Sequence, residues 1–199
     1  MKLTRITADA AATTSWSGGI SKQYVIYPPE SSYANRDFSY RLSMAVAYSD
    51  AAAKYSKLEN ITRHLVMLEG TAQVCHKGHY DLLMHPYQEI DVFDGGWDSS
   101  GTGKVTDFNL MLGPGAHGRM AVIEQDGTIG LGGCGSCGKP YNRMAFFCGC
   151  GSAFFAFAGS EQATVLQHDL LLLEGFPEGL SVTISLAGAK LIRMDICCR

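Results

Sequence analysis

Arg41-Leu42-Ser43-Met44-Ala45-Val46-Ala47 alternates between two kinds of residue, and this alternation decides the fold. Successive side chains of an extended strand point to opposite faces of a sheet. One face therefore carries Leu42, Met44 and Val46, an ordinary core face, and the other carries Arg41, Ser43, Ala45 and Ala47. Similar strand-length runs recur outward from here, separated by Gly and Pro turn signals. Residues 23–27 end at Pro28-Pro29, 63–68 at Glu69-Gly70, 88–93 at Asp94-Gly95-Gly96, and 104–112 at Gly113-Pro114-Gly115. Runs at 71–75 and 80–84 flank the turn His76-Lys77-Gly78-His79. Further on, 120–124, 128–131, 143–147, 153–158, 163–166, 170–173, 181–186 and 190–196 read as strands as well. Short runs with this punctuation point to an all-β antiparallel barrel or sandwich. Only residues 50–58 lean toward helix in composition, and they read equally as a loop. The strands outnumber what one small sheet holds, so two barrel-like lobes are expected: residues 1–113, and residues 114–199 packed with them as one compact unit.

Composition bounds the function. The 199 residues are 46% hydrophobic and 18% charged, as in globular proteins. Net charge is −3 with no basic stretch, which excludes the phosphate-neutralising surface that nucleic acid requires. Met1-Lys2 leads into Thr4, Thr7 and Asp9 without an apolar run, and no segment approaches the ~20 apolar residues of a membrane span. A cytoplasmic protein is expected. Seven cysteines, an odd number without an export signal, argue against a disulfide framework.

Polar residues on small-residue faces mark a candidate site. The Arg41, Ser43, Ala45, Ala47 face leaves volume unfilled, with an arginine suited to a carboxylate at its edge. The alternative is a solvent face with Arg41 in a surface ion pair. In Val105-Thr106-Asp107-Phe108-Asn109-Leu110-Met111, Asp107 and Asn109 share a side against strand propensity, so something must satisfy them. Either a ligand or an arginine such as Arg41 or Arg63 does so, or the pair ties loops together through backbone bonds. Trp16-Ser17-Gly18-Gly19 sets a wall-forming aromatic beside glycines whose amides can approach a ligand, although Gly-Gly turns are common.

Metal and nucleophile signals are sparser. His76 and His79 straddle a turn, which would put His76 at a hairpin tip, and His64, His85, His117 and His168 lack the spacing of a ligand set. Cys134-Gly-Ser-Cys137 and Cys148-Gly-Cys150 contain four thiols compatible with a structural zinc site, or with unligated thiols in a Gly-rich hairpin. No other cofactor is expected. Neither a Gly-x-Ser-x-Gly motif nor a Cys/His signature supports a nucleophilic hydrolase, so no catalytic residue is assigned.

The same segments carry a family resemblance. Trp16-Ser17-Gly18-Gly19, Tyr27-Pro28-Pro29, Arg36-Asp37-Phe38-Ser39-Tyr40-Arg41-Leu42-Ser43, Leu68-Glu69-Gly70, Phe93-Asp94-Gly95-Gly96 and Thr106-Asp107-Phe108-Asn109-Leu110-Met111 resemble, in order, the HutD/Ves family. The match is dense over residues 14–112 and elsewhere rests on strand pattern. One departure stands out: where the family often has Asp-Arg, this chain has Thr62-Arg63, and an ion pair from that Asp is absent. The resemblance implies a cupin-like, two-lobed fold and a regulator or sensor of histidine utilisation. It implies a small acidic ligand such as N-formylglutamate or urocanate, held by Trp16, Gly18, Gly19, Arg41, Ser43, Arg63, Asp107 and Asn109. The alternative is a cupin-type enzyme, using a metal or the arginine site for isomerisation or hydrolysis. Barrels of this kind also pair through edge strands, so a homodimer is compatible with this reading.

Overall fold

The computed structural model describes residues 1–130, 138–159, 161–177 and 179–198. Every regular element among them is a β-strand. The chain opens with β1 (Lys2–Ile6). Next come β2 (Ala12–Trp16), β3 (Gly19–Tyr27), β4 (Tyr40–Ala47), β5 (Ala53–Lys54) and β6 (Thr62–Glu69). Five more follow: β7 (Ala72–His76), β8 (Tyr80–Met84), β9 (Ile90–Asp94), β10 (Ser99–Thr102) and β11 (Thr106–Leu112). The last are β12 (His117–Ile123), β13 (Gly127–Gly130), β14 (Arg143–Phe157), β15 (Gln162–Leu166), β16 (Leu170–Glu174) and β17 (Ser181–Cys197).

Two compact units result: Ala11–Gly115, and Ala116–Arg199 together with Met1–Ala10. The division falls at the Gly113-Pro114-Gly115 turn, and the first ten residues belong to the second unit. There β1 runs antiparallel to β16, with Leu3 opposite Leu173 and packed on the core of that unit. Arg5 fixes the register by an ion pair of 2.6 Å to the buried Asp169.

In the second unit β14 and β17 are each one long strand where the sequence reads as two. Cys148-Gly-Cys-Gly and Ala187-Gly188-Ala189 look like turns, yet the ladder continues through them with register shifts at 148/150 and 152/153. Gly151 makes this possible. Its φ is +65°, and a Cβ there would lie 2.6 Å from the backbone of Gly188, so the strands meet where only glycine fits. Phe146, Phe155, Leu171, Leu173, Val182, Ile184 and Leu191 fill the core from this sheet.

The Ala11–Gly115 unit is built from two sheets. One has the order β2-β3-β4-β11-β6-β9 and the other β5-β10-β7-β8. Residues 50–58 form no helix but an extended segment containing β5, with Leu58 buried against Phe38 and Ile61. The largest correction concerns His76. It is buried, not at a hairpin tip, and its ring lies 4.3 Å from that of Phe93. Nδ1 is 2.7 Å from Ser99 Oγ and Nε2 is 2.8 Å from Asp91 Oδ2, while Tyr80 donates its hydroxyl to Asp91 Oδ1 at 2.7 Å. The reason is that His76 is the last residue of β7, paired with Ser99 of β10, so the turn begins after it. Because Asp91 belongs to the six-stranded sheet, this network fastens the two sheets of the unit together. Ser99 is itself buried, so the Ser-His-Asp arrangement braces the fold without presenting a nucleophile to solvent.

Removing His76 strands a buried carboxylate. His76→Ala should lower the unfolding free energy by about 3–5 kcal/mol, measured by chemical denaturation. A loss below about 1 kcal/mol, the range of an exposed pair, would show that the network does not fasten the sheets.

Candidate functional site

The register of β4, β11 and β6 constructs the site. Met111 of β11 lies opposite Arg41 on one side and Arg63 on the other, so the two arginines stand level across three strands. Two residues along the same face, Asn109 lies between Ser43 and Leu65. Beyond it, next to a β-bulge, Asp107 lies between Ala45 and Met67. Residues at i, i+2 and i+4 share a face, which turns this register into one continuous polar wall.

The wall bounds a cavity of about 460 Å³ between the two sheets of the unit. Ala45, Ala47, Ala51, Ala53 and Ala72 keep it open because their side chains are too short to fill it. Trp16, Tyr33, Tyr55 and Lys54 also line it. Its volume falls within the range of small-molecule sites.

Both arginines are 6% exposed. Arg41 donates from Nε to Gln23 Oε1 and from Nη1 to Ser43 Oγ, each at 2.7 Å, and its guanidinium lies 4.5 Å from the centre of the Tyr33 ring. Arg63 donates from Nη2 to Asn109 Oδ1 at 2.8 Å and lies 5.2 and 5.0 Å from the Tyr55 and Phe93 rings. Among the described residues neither guanidinium has a carboxylate at ion-pair distance. Arg63 Nε is buried with no hydrogen-bond partner among the described residues. Burial brings the pKa of Arg41 down to about 10, with Tyr33 opposing and Arg63 adding to the fall. Burial lowers that of Arg63 as well. Both guanidiniums stay charged at neutral pH.

Arg63 is linked to an acid through an amide. Asn109 accepts from Arg63 and donates from Nδ2 to Asp107 Oδ1 at 2.6 Å. Burial pushes the Asp107 carboxyl up to about 7, against the opposing pull of Arg63 and of the Asn109 bond. The Tyr55 hydroxyl is pushed up by burial and by Asp107.

Of the residues expected from the sequence, Trp16, Arg41, Ser43, Arg63, Asp107 and Asn109 converge on the cavity. Gly18 and Gly19 are not among the lining residues. They make room for other parts of the fold: a Cβ on Gly18 would lie 2.1 Å from the Trp16 ring, and one on Gly19 1.8 Å from the Val46 carbonyl oxygen. Their lack of side chains leaves room for the Trp16 ring. Sequence reasoning missed Gln23, Tyr33, Lys54 and Tyr55, which sit in a polar strand and in segments without periodicity. His64 faces the other side of β6 from Arg63, and burial lowers its pKa to about 4.

Cys134 and Cys137 lie outside the described residues. Cys148 and Cys150 belong to the other unit, and burial pushes the Cys148 thiol up to about 12. Cys148 donates to the Cys150 carbonyl at 3.1 Å. No three His, Cys, Asp or Glu side chains among the described residues are grouped to hold a metal. Nor do those residues contain a helix long and apolar enough to cross a membrane.

Asp107 ties stability to pH. Its folded pKa is raised above the ordinary carboxylate value, so between about pH 4 and 7 the folded state keeps a proton that the unfolded chain has lost. Stability is therefore lost as pH rises through that window, by up to about 1.4 kcal/mol per pH unit. The Tm of the native protein should fall from pH 4.5 to 7.5 relative to that of Asp107→Asn. Parallel profiles for the two proteins would contradict the shift.

The chain matches the HutD family over residues 8–191. No curated protein sequence matches it significantly. Similar solved structures include a conserved protein of unknown function from Pseudomonas aeruginosa PAO1, with TM-score 0.83 and 17% identity over the full length of both chains. HutD from Pseudomonas fluorescens SBW25 superposes with TM-score 0.77 and 16% identity, again covering both chains in full. The Escherichia coli pirin YhhW, in a nickel(II) complex, gives 0.64 at 10% identity and covers 98% of each chain. At these identities the superpositions establish the cupin-like fold and nothing finer. The family match spans nearly the whole sequence, and on it the chain belongs to the HutD family.

Proposed function

We propose that the Ala11–Gly115 unit binds a small carboxylate metabolite in its cavity, and that the protein acts as a regulator or sensor of histidine utilisation in the cytoplasm. The observation that carries the reading is a pair of buried arginines that, among the described residues, have no carboxylate at ion-pair distance, one of them with an Nε that lacks a hydrogen-bond partner there. A buried charge is costly unless it is paired and hydrogen-bonded. A ligand carboxylate supplies both, accepting from guanidinium groups in the planar geometry that arginine favours. Trp16, Tyr33 and Tyr55 offer ring surfaces for the body of the ligand. Membership of the HutD family supports ligands from histidine breakdown, with N-formylglutamate and urocanate as the first choices. No nucleophile with a base beside it lines the cavity among the described residues, so binding is favoured over hydrolysis.

Calorimetric titration with N-formylglutamate, urocanate and glutamate tests the proposal. At least one should bind, and Arg63→Ala should weaken it by about 30-fold or more, as expected for losing a buried charged partner. No heat with any of the three, or unchanged affinity in Arg63→Ala, would overturn it.

A further inference from the structure

We propose that the cavity takes up its carboxylate ligand together with one proton from solvent, held on Asp107 and donated to the ligand. The inference rests on the carboxylate reading of the site and adds a second requirement to it. Its basis is geometric. An anion-binding cavity has an acid in its own wall, on the same face of β11 as Asn109 and Met111. Asp107 Oδ1 accepts from Asn109, and the other oxygen has no hydrogen-bond donor among the described residues. Asp107 nonetheless keeps accessible surface and lines the cavity.

In the empty cavity Asp107 is the acid linked to Arg63, through the amide of Asn109. A ligand carboxylate that engages Arg63 competes for the same positive charge. Two carboxylates sharing a desolvated site do not both stay ionised, and one of them gains a proton. Asp107 is the one already disposed to do so, because burial has raised it to about 7, whereas ordinary ligand carboxylates ionise near 4. Once protonated, its O–H becomes a donor to the ligand oxygen, and repulsion is replaced by a short charge-assisted hydrogen bond. The balance is simple: ligand carboxylate, Asp107 carboxylate and one solvent proton give a complex with one fewer negative charge than its parts.

Other charged and ionisable groups surround Asp107. From β6 comes Arg63, from β4 Arg41, and from the β5 segment Lys54 and Tyr55, with Tyr33 on the adjoining loop. Burial pushes the Tyr55 hydroxyl up, away from neutrality, and the two guanidiniums stay charged. No histidine lines the cavity among the described residues.

Titration of the whole protein with N-formylglutamate at pH 6 and pH 8, in buffers of differing ionisation enthalpy, reads the proton directly. Uptake should approach one proton at pH 8 and be small at pH 6, and affinity should be about tenfold weaker at the higher pH. Asp107→Asn keeps a neutral donor, so it should bind with little pH dependence and no uptake, with its fold checked by circular dichroism. Binding without uptake in the native protein, or uptake that persists in Asp107→Asn, would overturn the inference while leaving the arginine site standing. Loss of affinity at both pH values in folded Asp107→Asn would show that an ionised Asp107 holds a ligand cation, and would overturn it too. No binding at either pH would remove the carboxylate reading itself, and this inference with it.

Discussion

Burial of charge is the constraint around which the Ala11–Gly115 unit is organised. A guanidinium removed from water loses hydration worth several kcal/mol, and neutral hydrogen bonds restore only part of it. Three adjacent strands nevertheless set Arg41 and Arg63 level with each other, beside Met111. The surroundings compensate in layers: Gln23 and Ser43 for one arginine, Asn109 for the other, and aromatic ring faces for both. Among the described residues this shell contains no carboxylate at ion-pair distance from either guanidinium. A shell ordered in this way would lower the ordering cost of binding the proposed carboxylate.

The network around His76 supports that arrangement from behind. Phe93 lies against both Arg63 and His76, and Asp91 ties β9 to β7 through the imidazole. The position of Arg63 thus depends on contacts that never reach the cavity. Asp107 occupies the opposite end of the same polar wall, where its carboxyl is kept near neutrality by burial and is held from one side by Asn109. The proposed binding and proton chemistry therefore share one strand face.

The parts of this that the sequence displays are those governed by period two. Arg41, Ser43, Ala45 and Ala47 announce a face with room in it, and Asp107 with Asn109 announces a polar strand that needs partners. Both readings hold in the structure because neighbouring strands keep the parity in register. Long-range features were not legible. His76 is buried because of a pairing with β10 more than twenty residues away, which no local pattern encodes. Gly151 and the Gly18-Gly19 pair look like turns or ligand-facing backbone, but they are points of close packing whose partners lie on other strands. Tyr33 and Tyr55 reach the cavity from irregular segments, where periodicity has nothing to report. Likewise Lys2–Ile6 looks like the start of the first lobe until its partner strand, more than 160 residues on, is seen.

The most direct test of the central claim is the crystal structure of the protein with N-formylglutamate bound. A ligand carboxylate oxygen should lie about 3 Å from Arg63 Nε, a buried guanidinium nitrogen with no hydrogen-bond partner among the described residues. Ligand density elsewhere, or a ligand in the cavity whose carboxylates avoid both arginines, would contradict the account.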